Sequence, residues 1–533
     1  MLTSPTPTPT LVDMDRLLAL RRVDLATDLA LQSGSKAICQ HVLARAGWEM
    51  LFSTLRPQLQ HLLDASLPDA ALPDEAHYGL QLAWTVEVQR LPHQVERALA
   101  ARPMQQAGMQ SLLQSRCAQM YDDTPAALVG AQAAVYAYAS TLQPLGLWAR
   151  FALGFSLLDA GRPQAAVEPL TLALKGAHRD GLVVLQMDAL HVLARAHDEM
   201  ANDAQAQACI EGLQALASKH SLNALPALDS LRRLAAHRAL RGACVEPVSW
   251  LTHTEPTATM TFPDLALLVQ QALVDGRLDR AGEAIRELRQ REAQSYCPQK
   301  WRNELSYLEM SWAARLGQVV QPPPAESDAF VGLYALQRAV MRAGAALLAD
   351  TPWPAAELAA LASELRARAL HRLHGRLMLV RALSQPSREE QDAGLLEWLC
   401  SSPLDTLDAL WLAPPLLAGL EQLSRAPQWG GDAAVRLRAQ TLVQRLLGSP
   451  AIALASSDAS GVRAPPLDLT VREWQVLCLI GQQLSNAQIA NRLCLSLATI
   501  KTHINRVYSK LGIQQRIEAV QRARALVSFH GSD

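Results

Sequence analysis

Apolar positions recur at helical spacing along most of the chain, and alternating runs that would mark strands are hard to find. The clearest unit is residues 152–174, A-L-G-F-S-L-L-D-A-G-R-P-Q-A-A-V-E-P-L-T-L-A-L. Leu153, Gly154 and Leu157 share one helix, Gly161 ends it and Pro163 opens the next. Ala166, Leu170 and Ala173 form the inner face of that second helix. Small residues at Gly154 and Ala166 let two antiparallel helices approach closely. The same order returns at Leu193-Ala194, with a turn at Ala201-Asn202-Asp203 and then Ala206 and Ile210. It returns again at Leu268, with a turn at Asp275-Gly276-Arg277 and then Ala281, Ile285 and Leu288. Weaker turns fall near Gln89-Arg90, Asp122-Asp123, Arg241-Gly242 and Gly317. Between residues 76 and 320 the intervals are roughly 34 to 41 residues, the length of a helix-pair repeat. Such pairs cannot bury their faces alone, so they stack into a superhelix with a concave surface.

Punctuation divides the rest. Residues 1–12 are Thr/Pro-rich and read as disordered, and helical repeats are expected over 13–318. The Pro-rich stretch 319–327 interrupts the stack, and helices resume over 328–448 with little repeat signal. Residues 449–466 are rich in Ser, Ala, Gly and Pro and read as a flexible linker before a last domain, 467–533. That domain reads as four short helices. Thr470 with Glu473, and Ser485 with Gln488, each form a capping box; Ser496 is the N-cap of the third helix and Gly512 its stop. The fourth runs from about Gln515 to Leu526.

The third helix carries the functional signal. Ile500, Ile504, Val507 and Leu511 form its buried stripe, leaving Lys501, Thr502, Asn505 and Ser509 on the opposite face, with Thr499, His503, Arg506 and Lys510 nearby. A polar, basic helix that follows another capped helix across a short turn suits the DNA major groove. Charge agrees: residues 465–533 carry eight Lys and Arg against four Asp and Glu, a net +4 on a chain of net −1.

These residues resemble the LuxR-type helix-turn-helix family. The matching motifs are Leu469-Thr470-Val471-Arg472-Glu473, Ser485-Asn486 with Ile489-Ala490, Ser496 with Thr499-Ile500-Lys501 and His503, and Lys510-Leu511-Gly512. Arg472 to Leu477 is most similar to the MalT-like branch; Gln483 departs from the family, which usually has Gly there. The repeat grammar upstream resembles tetratricopeptide repeats, with Arg150 where that family's early Trp is expected. The resemblance implies an all-α chain: a tetratricopeptide-like superhelix, a linker and a four-helix reader. It implies base contacts from Lys501, Thr502 and Asn505, and phosphate contacts from Ser485, Asn486, Thr499, His503, Arg506 and Lys510. It also implies dimer contacts through Ile513, Ile517, Val520 and Ala523 on the fourth helix.

Other chemistry is excluded or weak. MalT-like regulators carry a nucleotide-binding domain before the superhelix, but no G-x-x-x-x-G-K-[ST] phosphate loop stands here. Either the chain is a shortened relative or that portion lies on another chain, and no cofactor is expected. The eight cysteines are scattered with no C-x-x-C pair, which fits isolated thiols in a reducing cytoplasm rather than zinc sites or disulfides. Residues 1–20 lack a signal-peptide pattern, and the longest apolar run, 409–420, is broken by Pro414-Pro415, so no membrane is expected. His371 and His374, among Arg366, Arg368, Arg372 and Arg376, read as a solvated or partner-facing helix rather than metal ligands. Arg232, Arg233, Arg238 and Arg241 form a second basic helix.

The expectation is therefore a cytoplasmic, non-enzymatic transcription regulator. Its partners are double-stranded DNA, RNA polymerase, a small-molecule or protein effector at the repeats, and a second copy in a homodimer. The competing reading is a helical-repeat scaffold or adaptor whose last domain serves dimerisation only.

Overall fold

In the computed structural model the described residues are 9–66, 74–139, 143–220, 260–294, 299–316, 332–351, 353–401, 411–423 and 433–447. Parts of 476–521 and the single positions 234, 235, 238, 297 and 318 are also described. The linker, the capping box at Thr470 and Glu473, the N-cap at Ser496 and the turns at Arg241-Gly242 and Gly317 lie outside them, as do Arg232, Arg233 and Arg241. Every regular element among the described residues is an α-helix. None of these helices is long and apolar enough to cross a membrane.

The chain divides into two compact units, the first being Met1–Leu234 with Phe330–Ala335 and Arg368–Leu370. Its helices bounded among the described residues up to residue 220 are α1 (Leu11–Ala19), α2 (Val23–Ser33), α3 (Lys36–Leu51), α4 (Arg56–Ala65), α5 (Glu75–Glu87) and α6 (Pro92–Ala101), followed by α7 (Ala107–Met120), α8 (Thr124–Ala137), α9 (Pro144–Asp159), α10 (Pro163–Arg179), α11 (Val183–Glu199) and α12 (Asp203–Lys219). Helix α1 begins two residues before the expected end of the disordered stretch. Thr10 caps it: the Asp13 carboxylate accepts from the Thr10 amide at 2.8 Å, and the Thr10 hydroxyl accepts from the Asp13 amide at 3.3 Å.

The turns explain the rhythm. Asp122, Gly161, Gly181 and Ala201 take positive φ after the ends of α7, α9, α10 and α11. Each is followed by an amide that bonds back five residues: Asp123 to Ala118, Arg162 to Leu157, Leu182 to Ala177 and Asn202 to His197. Gly154 faces Leu170 so closely that a Cβ would have no room, which is the close approach expected of the α9–α10 pair. Ala166, Leu170 and Ala173 are fully buried there.

One core runs from Met14 to Ala196. Trp148, 0% exposed, lies against Trp48 (6.0 Å between ring centroids) and Phe52 (5.6 Å). The odd-numbered helices form an inner row in which α3 meets α5, α5 meets α7, α7 meets α9 and α9 meets α11. The row curls tightly enough for α3 to meet α9 and for the Val184 amide to donate to the Phe52 carbonyl at 2.9 Å.

The second unit is built on the same local rules. Phe262–Val274 and Leu278–Gln294 pair across Gly276, φ +74°, with Ala281, Ile285 and Leu288 buried. Trp312 Nε1 donates to the Leu278 carbonyl at 2.9 Å and fills the space left by Gly282. The helix His371–Leu383 corrects the sequence reading. It is a core helix, with Arg372, Leu373, Leu377, Leu379 and Val380 buried and Trp398 Nε1 donating to the Gly375 carbonyl at 2.9 Å. Its arginines masked an apolar pattern that runs almost all the way round. His374 meets Arg366, and burial with neighbouring cations holds its pKa below the ordinary histidine value. No cluster of His, Cys, Asp or Glu among the described residues could hold a metal ion.

Candidate nucleic-acid interface

The helix Leu497–Leu511 is anchored by its apolar stripe. Ile500 and Val507 are 0% exposed and Ile504 6%, and they close on Val476, Leu477, Leu479, Ile480, Ile489 and Ala519. These residues form a core separate from the larger one described above. Leu511 completes the stripe half-buried. Gly512 ends the helix at φ +65°, and the Ile513 amide donates to the Tyr508 carbonyl at 3.0 Å.

Because that stripe is fixed inward, the other face is fixed outward. Lys501, Asn505, Arg506, Ser509 and Lys510 are exposed and His503 is half-buried. Thr499 and Thr502 belong to the same helix, but their side chains are outside the described ones. Three cations and an amide thus share one surface, which offers donors to base edges and phosphates without any burial cost.

The preceding helix begins as expected. Gln488 Oε1 accepts from the Ser485 amide at 2.8 Å, and the Ser485 hydroxyl accepts from the Gln488 amide at 3.3 Å. Ser485 stays exposed, so its O–H can still donate to a phosphate. Asn486 is more committed, since its Oδ1 accepts from Arg516 at 2.6 Å. Only its amide NH₂ and backbone N–H remain for an anion.

Arg516 was not singled out by the sequence. It donates to Asn486 and to the Leu484 carbonyl, tying the fourth helix to the start of the second. Its only sequence signal was a cation beside an apolar stripe. Arg516→Ala should lower the stability of this domain by about 1.5–3 kcal/mol, the usual worth of hydrogen bonds from a charged group. Thermal melting of the domain would show it; an unchanged melting point would make the contact incidental.

The dimer stripe is split. Ile513 and Val520 pack half-buried on the domain's own core, Ile517 is 65% exposed, and Ala523 lies outside the described residues.

Residues 467–523 match the family described as bacterial regulatory proteins, luxR family. The C-terminal segment is a LuxR-type helix-turn-helix domain. Over 70 residues the chain is 53% identical to the HTH-type transcriptional regulator MalT of Yersinia pestis (strain Pestoides F), a stretch that covers 13% of this chain and 8% of that protein. The MalT of Yersinia pseudotuberculosis serotype O:1b (strain IP 31758) matches with the same identity and coverage. The chain therefore matches less than a tenth of the length of these relatives, and the likeness is confined to the LuxR-type domain. The capping box, the buried stripe and the positive-φ Gly512 are the features on which that domain stands here.

Proposed function

We propose that this chain is a DNA-binding transcription regulator. The observation that carries the reading is the opposition of faces on Leu497–Leu511: the buried Ile500, Ile504 and Val507 behind exposed Lys501, Asn505, Arg506 and Lys510. In this reading Lys501, Thr502 and Asn505 meet base edges, where Lys donates to guanine and Asn makes two bonds to adenine. Ser485, Thr499, His503, Arg506 and Lys510 meet phosphates, and Asn486 helps only through its remaining donors. The exposed Ile517 serves a small contact between two copies, too small to hold a dimer without DNA or the helical region. RNA polymerase is the further partner.

Lys501→Ala should weaken binding to the preferred duplex by about 1–3 kcal/mol and relax selectivity at one position. Competition with single-base variants of that duplex measures both. Lys510→Ala should instead weaken binding to all sequences and reduce the salt slope by about one unit. An unchanged slope would move Lys510 off the phosphate set.

The helical region, 13–318 with 328–448, is the effector-binding part in this reading, and 449–466 is the tether. A solenoid of this size offers a long inner surface to a ligand or protein, and an effector regulates only if it binds the active and inactive states unequally. The experiment compares the full chain with residues 465–533 alone, in DNA affinity and in reporter activation across growth conditions. Condition-dependent activation by the full chain only is the expected result. Equal behaviour of both would favour the scaffold reading.

A further inference from the structure

The inner row of the first unit holds more charge than packing needs. Glu87 at the end of α5 and Arg116 on α7 pair across 3.0 Å, with side chains 6% and 7% exposed. Trp148 Nε1 donates to Glu87 at 3.2 Å, and Arg116 donates to Gln119, whose amide NH₂ donates to Ser156 at 2.7 Å and to the Ala152 carbonyl at 2.9 Å. This network is closed.

Three charged groups around it are not closed. Arg56, at the start of α4, donates its Nε to the Leu51 carbonyl at 2.8 Å, which fixes the guanidinium and leaves its two terminal nitrogens without a hydrogen bond. Asp188 on α11 lies within the electrostatic reach of Arg56, Arg90 and Arg116, yet makes no ion pair or hydrogen bond. Arg90, just after α5, is exposed and also unpaired. Arg56 and Asp188 are part-exposed, so solvent reaches them, and the bond between Val184 and Phe52 holds their two elements together.

Half-buried ionised groups such as Arg56 and Asp188 are costly to leave unpaired. Burial pushes the Asp188 carboxyl up and the Arg56 guanidinium down from their ordinary values, the direction expected when each lacks a direct partner. With Glu87 and Arg116 satisfied by each other, the unmatched charge is two cations and one anion. A phosphate dianion would meet Asp188 as a like charge. A singly charged carboxylate fits the fork of Arg56, which matches it in two parallel bonds. A hydroxyl or ammonium on the same molecule would donate to Asp188.

We propose that Arg56, Arg90 and Asp188 form a binding site for a small organic carboxylate that also carries a hydroxyl or amino group, a hydroxy or amino acid. The inference rests on the effector-binding reading above and names the chemical class.

Isothermal calorimetry on the full chain tests it with four probes: L-lactate, L-alanine, propionate and inorganic phosphate. L-lactate or L-alanine should bind one per chain, about ten-fold or more tightly than propionate, which has no donor for Asp188. Arg56→Gln should weaken that binding about ten-fold or more. Asp188→Asn should reduce the preference over propionate while raising the melting temperature of the ligand-free protein, because it removes a charge the empty protein holds at a cost. A purely structural Asp188 would lower that temperature on substitution. No binding of any probe by the parent chain overturns the proposal, as does phosphate binding tighter than both donors, or binding that neither substitution alters. If Arg56→Gln is unfolded by circular dichroism, Asp188→Asn decides alone. The reporter comparison separates the two readings. Condition-dependent activation without probe binding sinks this site and leaves effector sensing standing. Probe binding with no dependence on the helical region does the reverse.

Discussion

Glu87→Ala should destabilise the first unit by about 3–5 kcal/mol, a large part of the roughly 5–15 kcal/mol that holds a typical domain together. The carboxylate closes three elements at once, accepting from Arg116 on α7 and Trp148 on α9 while itself on α5. Its removal leaves the Arg116 guanidinium, 7% exposed, without its ion-pair partner, and an indole N–H without an acceptor. The cost is that of the orphaned cation rather than the worth of the pair. Exchanging both partners, Glu87→Met with Arg116→Met, should therefore recover most of the loss. Chemical denaturation of all three variants measures it, and a double exchange no better than Glu87→Ala would contradict the explanation. The pair also sets an acid limit. Burial pushes the Glu87 carboxyl up, but Arg116 beside it more than offsets this and holds it below the ordinary glutamate range. The folded state thus favours the ionised form. Its stabilising contribution is complete above the unfolded-state pKa and is lost as pH falls through the lower, folded one. In Glu87→Ala that part of the acid-induced loss should disappear.

Val507→Asp should remove DNA binding altogether. Val507 is fully buried among eight other buried side chains of the described residues, all of them apolar, so none can meet a carboxylate. A domain of about 60 residues has little stability in reserve, and a buried unpaired charge costs more than such a domain has to lose. The first unit is untouched by the change, so its melting transition should stay where it is. Loss of DNA binding with an unchanged main transition is the expected pair of results. A variant that still binds its duplex would mean that this core does not hold the reading helix.

The parts legible in the sequence are those where one residue type has one physical reason to be present. Gly161, Gly276 and Gly512 all sit at positive φ and stop helices where expected. The Ser485–Gln488 box forms as its spacing requires, and Ile500, Ile504 and Val507 are buried as their period requires. Elements governed by partners distant in sequence were not legible. Arg56 and Asp188 are separated by more than a hundred residues and come together only because the inner row of helices curls back on itself. Arg516 looked like one more surface cation until its contacts to Leu484 and Asn486 were seen. In the helix His371–Leu383 the side chains of His371, Arg372, His374 and Arg376 suggest a solvated or partner-facing helix, whereas Arg372 lies buried among the leucines. The start of α1 inside a Thr/Pro-rich stretch is a smaller case, where a capping pair outweighed composition.

The central claim is that the face of Leu497–Leu511 carrying Lys501 and Asn505 reads DNA sequence. The most direct measurement is selection of duplexes from a random pool by the full chain, run in parallel with Lys501→Ala and Asn505→Ala variants that melt like the parent. The account predicts that the parent converges on one motif and that each variant loses preference at a different position within it. Enrichment of no motif by the parent, or of the same motif with the same strength by all three proteins, would contradict it.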